Sequence, residues 1–358
     1  MPSLKEIKGR INSISSTLAI TSAMKMVAAA KLQKAQMAIQ NMLPYERRLH
    51  SMLIDLMGAM NISAAASEDG SVRGSGSAER GFDQSGDRLS LSNRHDLAGM
   101  DGAYSLMAQR EVRKVAIVAF ASNSSLCGAF NSNAIREATA VINECRASGL
   151  GDADITVYSV GRKMAEAMKK LGFPSPADFT KMSDSPSYDA ASALAQELFD
   201  GFVSGRFDKV ELVYNHYKST SSQPTTRQTY LPLSLADATA DIQVGKITDS
   251  ASESDTNRGA EPVGAPVVRQ GSPTTEDLIV EPSKEELIAT LLPKVVRLRV
   301  FTTLLDSTAA EQAARTVAMQ LATDNGNDLL QELTLEYNKG RQQKITSEIL
   351  DIVGGSMQ

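Results

Sequence analysis

One seven-residue pattern near the start of the chain limits its possible folds more than any other feature. Seam positions at 4, 11, 18, 25, 32, 39, 46 and 53 carry Leu, Ile, Leu, Lys, Leu, Ile, Glu and Leu. The companion positions at 7, 14, 21, 28, 35, 42, 49 and 56 carry Ile, Ile, Thr, Ala, Ala, Met, Leu and Leu, so thirteen of the sixteen are apolar. Sustained spacing of this kind dictates a long helix wound against a partner helix. Pro44 removes one backbone donor, so a local kink is expected, with the helix continuing past it.

The partner is supplied by the other end of the chain. From Ser283 the residues Leu287, Leu291, Val295, Leu298, Phe301, Leu305, Ala309, Ala313, Val317 and Leu321 follow one another by three or four. The stripe narrows to alanine halfway along, which lets two helix axes approach closely. The chain then ends on "KITSEILDIVGGSMQ", where Ile345, Ile349, Ile352 and Val353 form one more apolar stripe. If the two helices run antiparallel from one side of a central domain, about 55 residues pair against about 71. The second helix then projects past the first by roughly 24 Å at about 1.5 Å per residue. Its last stripe has no cover within its own chain.

Between the rods, "VAIVAFA" (115–121), "ITVYSV" (155–160), "VELVYNHY" (210–217) and "TRQTYLPL" (226–233) read as strands. Helical segments fall at about 131–148, capped by Asn131 or Ser132, at about 162–171 and at about 187–204. This alternation predicts an α/β domain with mostly parallel pairing and an antiparallel edge. The fold class expected is therefore α/β: a long antiparallel two-helix coiled coil formed by the N- and C-terminal helices, with a central Rossmann-like domain. Boundaries are drawn at 1–60 for the first helix, 61–110 for a Ser/Gly/charge-rich insertion and 111–236 for the α/β domain. A second flexible insertion follows at 237–282, and the last helix occupies 283–358.

Composition removes several function classes. Aromatic residues are only 5% and Trp is absent, as suits helices packed through small or unbranched side chains. A net charge of −5 offers no footprint for nucleic acid. No apolar run reaches the length of a membrane span, so any membrane contact is expected through partners. Cys127 and Cys145 lack CxxC or zinc-ligand spacing, and His50, His95 and His216 are scattered, so neither a metal nor a cofactor is expected. Cys127 follows the first strand, where a nucleophile could sit, but a CxxxxxR signature would need Arg where Asn133 stands. Neither GxxxxGK[ST] nor GxGxxG occurs.

With "EIKGRINSISSTLAITSAMKMVAAAKLQKAQ" near the start, "LCGAFN" at 126–131 and "AAEQAARTVAMQLATDNGNDLLQELTLEYNKGRQQKITSEILDIVGG" near the end, the chain resembles the gamma subunit of bacterial-type F-type ATP synthase. The resemblance spans both termini and the middle domain. It implies a non-catalytic central-stalk rotor whose tip lies in the bore of the alpha and beta subunit hexamer and whose domain rests on the c-ring, with the epsilon subunit as a further partner. It also implies peripheral attachment at the cytoplasmic face of the bacterial inner membrane, and coupling of proton flow to ATP synthesis. By the same resemblance Met24 and Lys25 match the region facing an acidic loop of beta, and Arg315 a position contacting another beta loop. Gln342, Thr346 and Glu348 match positions touching the surrounding ring, with Ile345, Ile349 and Ile352 as the apolar bearing. The family's acidic-basic-Gly run before "LCG" is replaced here by Asn123, Ser124 and Ser125. Cys127 and Cys145 do not reproduce the paired-cysteine regulatory insertion of photosynthetic members.

Local alternatives stand beside these roles. Glu311, four residues before Arg315, makes a helix ion pair an equal reading, and without the resemblance Met24, Lys25, Gln342, Thr346 and Glu348 read as ordinary solvated helix residues. A flavodoxin-like domain binding a small molecule beyond the carboxyl ends of its strands, with arms that self-associate, is the competing architecture. A nucleic-acid or membrane-surface adaptor would use the lysines of the opening helix, which a charged coiled-coil flank explains more simply.

Overall fold

The computed structural model describes residues 3–68, 110–233, 281 and 283–355. Helix α1 spans Leu4–Glu68, followed by strand β1 (Val115–Phe120) and helix α2 (Phe130–Ala147). A 3-10 turn at Asp152–Asp154 leads into β2 (Ile155–Val160), α3 (Arg162–Lys170), the short α4 (Thr180–Asp184) and α5 (Tyr188–Val203). Strands β3 (Lys209–Asn215) and β4 (Thr225–Leu231) complete the domain, and α6 (Lys284–Gly355) closes the chain.

The two terminal helices form an antiparallel rod. Leu4 lies against Gly340, Leu18 against Gly326, and the hydroxyls of Thr21 and Thr323 meet at 3.1 Å. Seventeen residues forward on α1, from Leu4 to Thr21, thus correspond to seventeen residues back on α6. All sixteen heptad positions are buried or half-buried, including the three polar ones. Two of those three are accommodated by hydrogen bonds across the seam: Thr21 to Thr323, and Glu46, whose Oε1 accepts from Thr302 Oγ1 at 3.1 Å. α1 runs unbroken through Pro44 and continues to Glu68, eight residues past the boundary drawn at 60. The stretch "SAAASE" loses apolar periodicity yet keeps alanine, the strongest helix former, so the end of the seam is not the end of the helix. Of the two expected insertions, only 61–68, Arg110 and Glu281 lie within the described residues.

The sheet order is β2-β1-β3-β4, with β1 parallel to β2 and β3, and β4 antiparallel to β3. β1 is buried on both sides and divides by the period of two. Val115, Ile117 and Ala119 face α2 and α3, whereas Ala116, Val118 and Phe120 face α5 and the base of the rod. Leu49, Leu53 and Leu56 of α1 and the stretch from Ile288 to Leu304 of α6 belong to that second core. Foot and shaft therefore share one hydrophobic interior. At the edge, Glu211 is buried among Arg227, Lys209 and, through Arg227, Glu144. Burial pushes its carboxyl up, but the bonds from Arg227 and Lys209 outweigh this and hold it below the ordinary range.

Two local expectations are corrected. α2 begins at Phe130 with Ala129 as its cap residue and no side-chain cap. Asn131 is instead spent on the preceding loop, accepting from Ser122 N at 3.0 Å and donating to Ser124 O at 3.1 Å. On α6 the expected stripe fails at Leu321, which is 58% exposed. From Met319 the seam follows Thr323, Gly326, Leu330, Leu333, Tyr337 and Gly340, a strict alternation of four and three. Where the domain and α1 both cover α6, a broad face is buried; where α1 alone remains, only a narrow heptad seam persists.

This contrast makes a test. Ala313 is fully buried against Leu32, Ala35 and Ala309. Ala313→Leu should therefore overpack the seam and lower the unfolding free energy by about 1–3 kcal/mol. Leu321→Ala should change it by less than about 0.5 kcal/mol. Guanidinium unfolding of both variants checks the pair.

Candidate functional site

The first candidate region is the projecting end of α6. Beyond Gly340, which touches Leu4, every residue from 341 to 353 is exposed. The helix from 341 to its end at Gly355 thus projects past α1 by roughly 22 Å. Ile345, Ile349, Ile352 and Val353 lie within an arc of about 100° on this projection. Ile352 alone is 72% exposed. Gln342, Thr346 and Glu348 accompany them: Thr346 Oγ1 donates to Gln342 O at 2.9 Å, and Glu348 faces Lys344 at 3.7 Å. Neither contact buries a side chain. Apolar side chains aligned and exposed at the end of a rod make this the first candidate interaction surface.

The other predicted residues lie elsewhere. Met24 and Lys25 are half-buried on α1, flanked by the exposed Ile20, Met26 and Val27. The register brings them alongside α6 near Gln320, close to Arg315. Arg315 and Gln342 share one helix. At about 1.5 Å of rise per residue they stand roughly 40 Å apart along its axis. The structure therefore groups Met24, Lys25 and Arg315 at mid-rod and the remaining six at the tip.

Arg315 is committed within the chain. Its Nη1 donates to Ser125 O at 2.7 Å, and its Nη2 to Ser124 Oγ at 2.8 Å and to Glu311 Oε1 at 2.5 Å. The Glu311 partner is the one read from the i, i+4 spacing; the serines stand where the resembled family carries an acidic-basic-Gly run. Burial holds the Glu311 carboxyl above its ordinary range, against the hydrogen bond from Arg315. In the loop before α2, Leu126 and Gly128 both adopt positive φ, at 69 and 58 degrees. That left-handed backbone turns the loop sharply beneath the rod. Cys127 is buried in it, with Asn131 Nδ2 at 3.2 Å from its sulfur, and packs with Phe130 against Ala310.

A second set of contacts was missed by sequence reasoning. Asp306 accepts from Tyr217 N at 2.9 Å and shares a 2.6 Å hydrogen bond with His216 Nδ1, while Gln36 of α1 donates to the Tyr217 hydroxyl at 2.6 Å. A carboxylate directly beside Leu305 of the apolar stripe was the available signal. These groups, with Arg315, occupy the region beyond the carboxyl ends of β1 and β3. A flavodoxin-like domain would place its ligand there; here the space is filled by α6 itself. Among the described residues no group of three or more His, Cys, Asp or Glu could hold a metal, and no helix is long and apolar enough to cross a membrane.

Residues 3–357 match the ATP synthase family. The ATP synthase gamma chain of Phocaeicola vulgatus is 47% identical over 357 residues, covering 100% of both chains, and that of Bacteroides thetaiotaomicron is 45% identical over 358 residues with the same coverage. Among solved structures, the rotor of the Euglena gracilis mitochondrial ATP synthase is similar at 18% identity and a TM-score of 0.49, covering 96% of this chain and 98% of its own. The chain belongs to the ATP synthase family, as a gamma chain.

The His216–Asp306 contact carries a pH signature. Asp306's hydrogen bond raises the His216 pKa above its ordinary 6.5. The stabilisation is therefore complete below about pH 6.5 and is lost as pH rises through the higher folded value. Unfolding midpoints measured from about pH 6 to about pH 9 should fall across this window, and Asp306→Asn should flatten that part of the profile.

Proposed function

We propose that this gamma chain is the central-stalk rotor of an F-type ATP synthase and couples proton flow to ATP synthesis by transmitting torque. The observation that carries this reading is the uncovered end of α6: a stiff, apolar-striped projection suits an axle tip turning inside a sleeve of other subunits. The sleeve is the hexamer of alpha and beta subunits, the α/β domain bears on the c-ring, and the epsilon subunit attaches at the foot. Ile345, Ile349 and Ile352 form the bearing surface, with Gln342, Thr346 and Glu348 as polar contacts around it. Met24, Lys25 and the exposed apolar residues beside them face a beta loop at mid-rod. Arg315 supports the same region from within, through the Ser124–Ser125 segment.

The mechanism asks for no chemistry from this chain. An asymmetric shaft presents a different surface to each of three equivalent catalytic sites, so its rotation exchanges differential binding free energy for nucleotide affinity. Two helices locked along a heptad seam resist twisting better than one. The chain acts without a cofactor and reaches the membrane through its partners, as a peripheral component at the cytoplasmic face of the inner membrane.

Removal of residues 345–358 tests the reading. Residues 341–353 are all exposed. The melting temperature of the isolated chain should therefore stay within about 1 °C of the full-length value. Its association with alpha and beta subunits should weaken at least about tenfold. Equal loss of folding and association would show that the tip belongs to the chain's own core.

A further inference from the structure

Above the bulky core that α6 shares with the α/β domain from Ile288 to Leu304, the two meet at mid-rod through two kinds of contact. The apolar kind is smooth: Ala310 presents a methyl group to Cys127 and Phe130 of the domain, while Ala309 and Ala313 pack against Leu32 and Ala35 of α1. Apolar burial is non-directional, so methyl-sized contacts by themselves fix no rotational setting. The polar kind is directional. Arg315 reaches Ser124 and Ser125 in the segment leaving β1, and Asp306 reaches His216 and Tyr217 in the segment leaving β3.

The placement of these two groups is informative. Nine residues are two and a half turns of α-helix, so Asp306 and Arg315 leave α6 on opposite sides, about 13 Å apart along its axis. Grips on opposite sides of a rod oppose its rotation about its own axis as well as its bending, whereas two on one side would act as a hinge. Each involves a charged group, which makes it stronger and shorter than a neutral hydrogen bond. The Arg315 guanidinium is further held by Glu311, and Tyr217 passes the second grip on to Gln36 of α1.

We propose that Asp306 and Arg315 form a two-point joint that, above the shared core at the base, holds the angle between the α/β domain and the shaft, acting as positioning residues for torque transfer. The inference rests on the rotor reading and deepens it by naming where twist passes from foot to shaft.

The test uses the full chain alone and within an assembled ATP synthase, with Asp306→Ala, Arg315→Gln and the double variant. In the chain alone, Asp306→Ala should speed amide exchange at Tyr217, and Arg315→Gln should speed it around Ser124 to Cys127. In the assembly, with the hexamer immobilised and a probe on the foot, the angular variance is read from thermal fluctuation. The two ties act in parallel with the core at the base, so either single substitution should raise that variance by up to about twofold, and the double variant should raise it further. Faster exchange with unchanged variance in all three variants would overturn the joint while leaving the rotor reading intact. Should the double variant fail to assemble, the two single variants are read in its place, and unchanged variance in both would again overturn it. Failure of the unaltered chain to enter an ATP synthase would remove the rotor reading itself, and the joint with it.

Discussion

Uneven coverage of one helix organises this molecule. α6 crosses three environments in turn: enclosed by α1 and the α/β domain up to about Met319, flanked by α1 alone as far as Gly340, and projecting into solvent beyond it. Each environment demands a different side-chain pattern, because apolar surface left in water is costly and polar groups without partners in the interior are costlier. The enclosed part leaves few positions exposed and buries even Arg299, Glu311 and Arg315. The flanked part keeps only a heptad seam. The projecting part keeps a stripe that its own chain leaves uncovered.

Joining the base of the rod to the domain's interior follows from the same demand. Leu49, Leu53 and Leu56 from α1 and Ile288 to Leu304 from α6 complete the core on one face of the sheet, so the foot cannot turn without disturbing its own packing. Tyr230 reinforces the junction by donating its buried hydroxyl to Val296 O at 2.9 Å, and burial pushes its pKa far above the ordinary value. Higher up, where alanines bring the two rods and the loop after β1 close together, directional hydrogen bonds take over from bulky apolar contact.

Much of this was legible in the sequence because the periods are so regular. The heptad of α1 located every seam position, and the strand and helix runs gave the order of the domain's elements, with a short helix at Thr180–Asp184 unanticipated. The overhang expected from helix lengths also agrees, within about one turn, with the one measured from the Leu4–Gly340 contact. The expected lengths were themselves off at α1's far end, since helical alanines continue where the apolar pattern stops. Leu321 was misplaced because spacing by three or four residues does not distinguish a broad face from a narrow seam. The ties made by Asp306 and Arg315 to the strand exits join residues 89 to 191 positions apart, and no local pattern encodes a pairing at that separation. Only the oddity of a carboxylate beside Leu305 and the i, i+4 spacing of Glu311 and Arg315 hinted that these positions were special.

The claim that everything else depends on is that the exposed stripe of α6 is covered in the working assembly. Side-chain footprinting of Ile345, Ile349 and Ile352, in the isolated chain and in an assembled ATP synthase, addresses it directly. Heavy labelling of all three residues is expected in the isolated chain, and strong protection in the assembly. Labelling equally heavy in both states would contradict it.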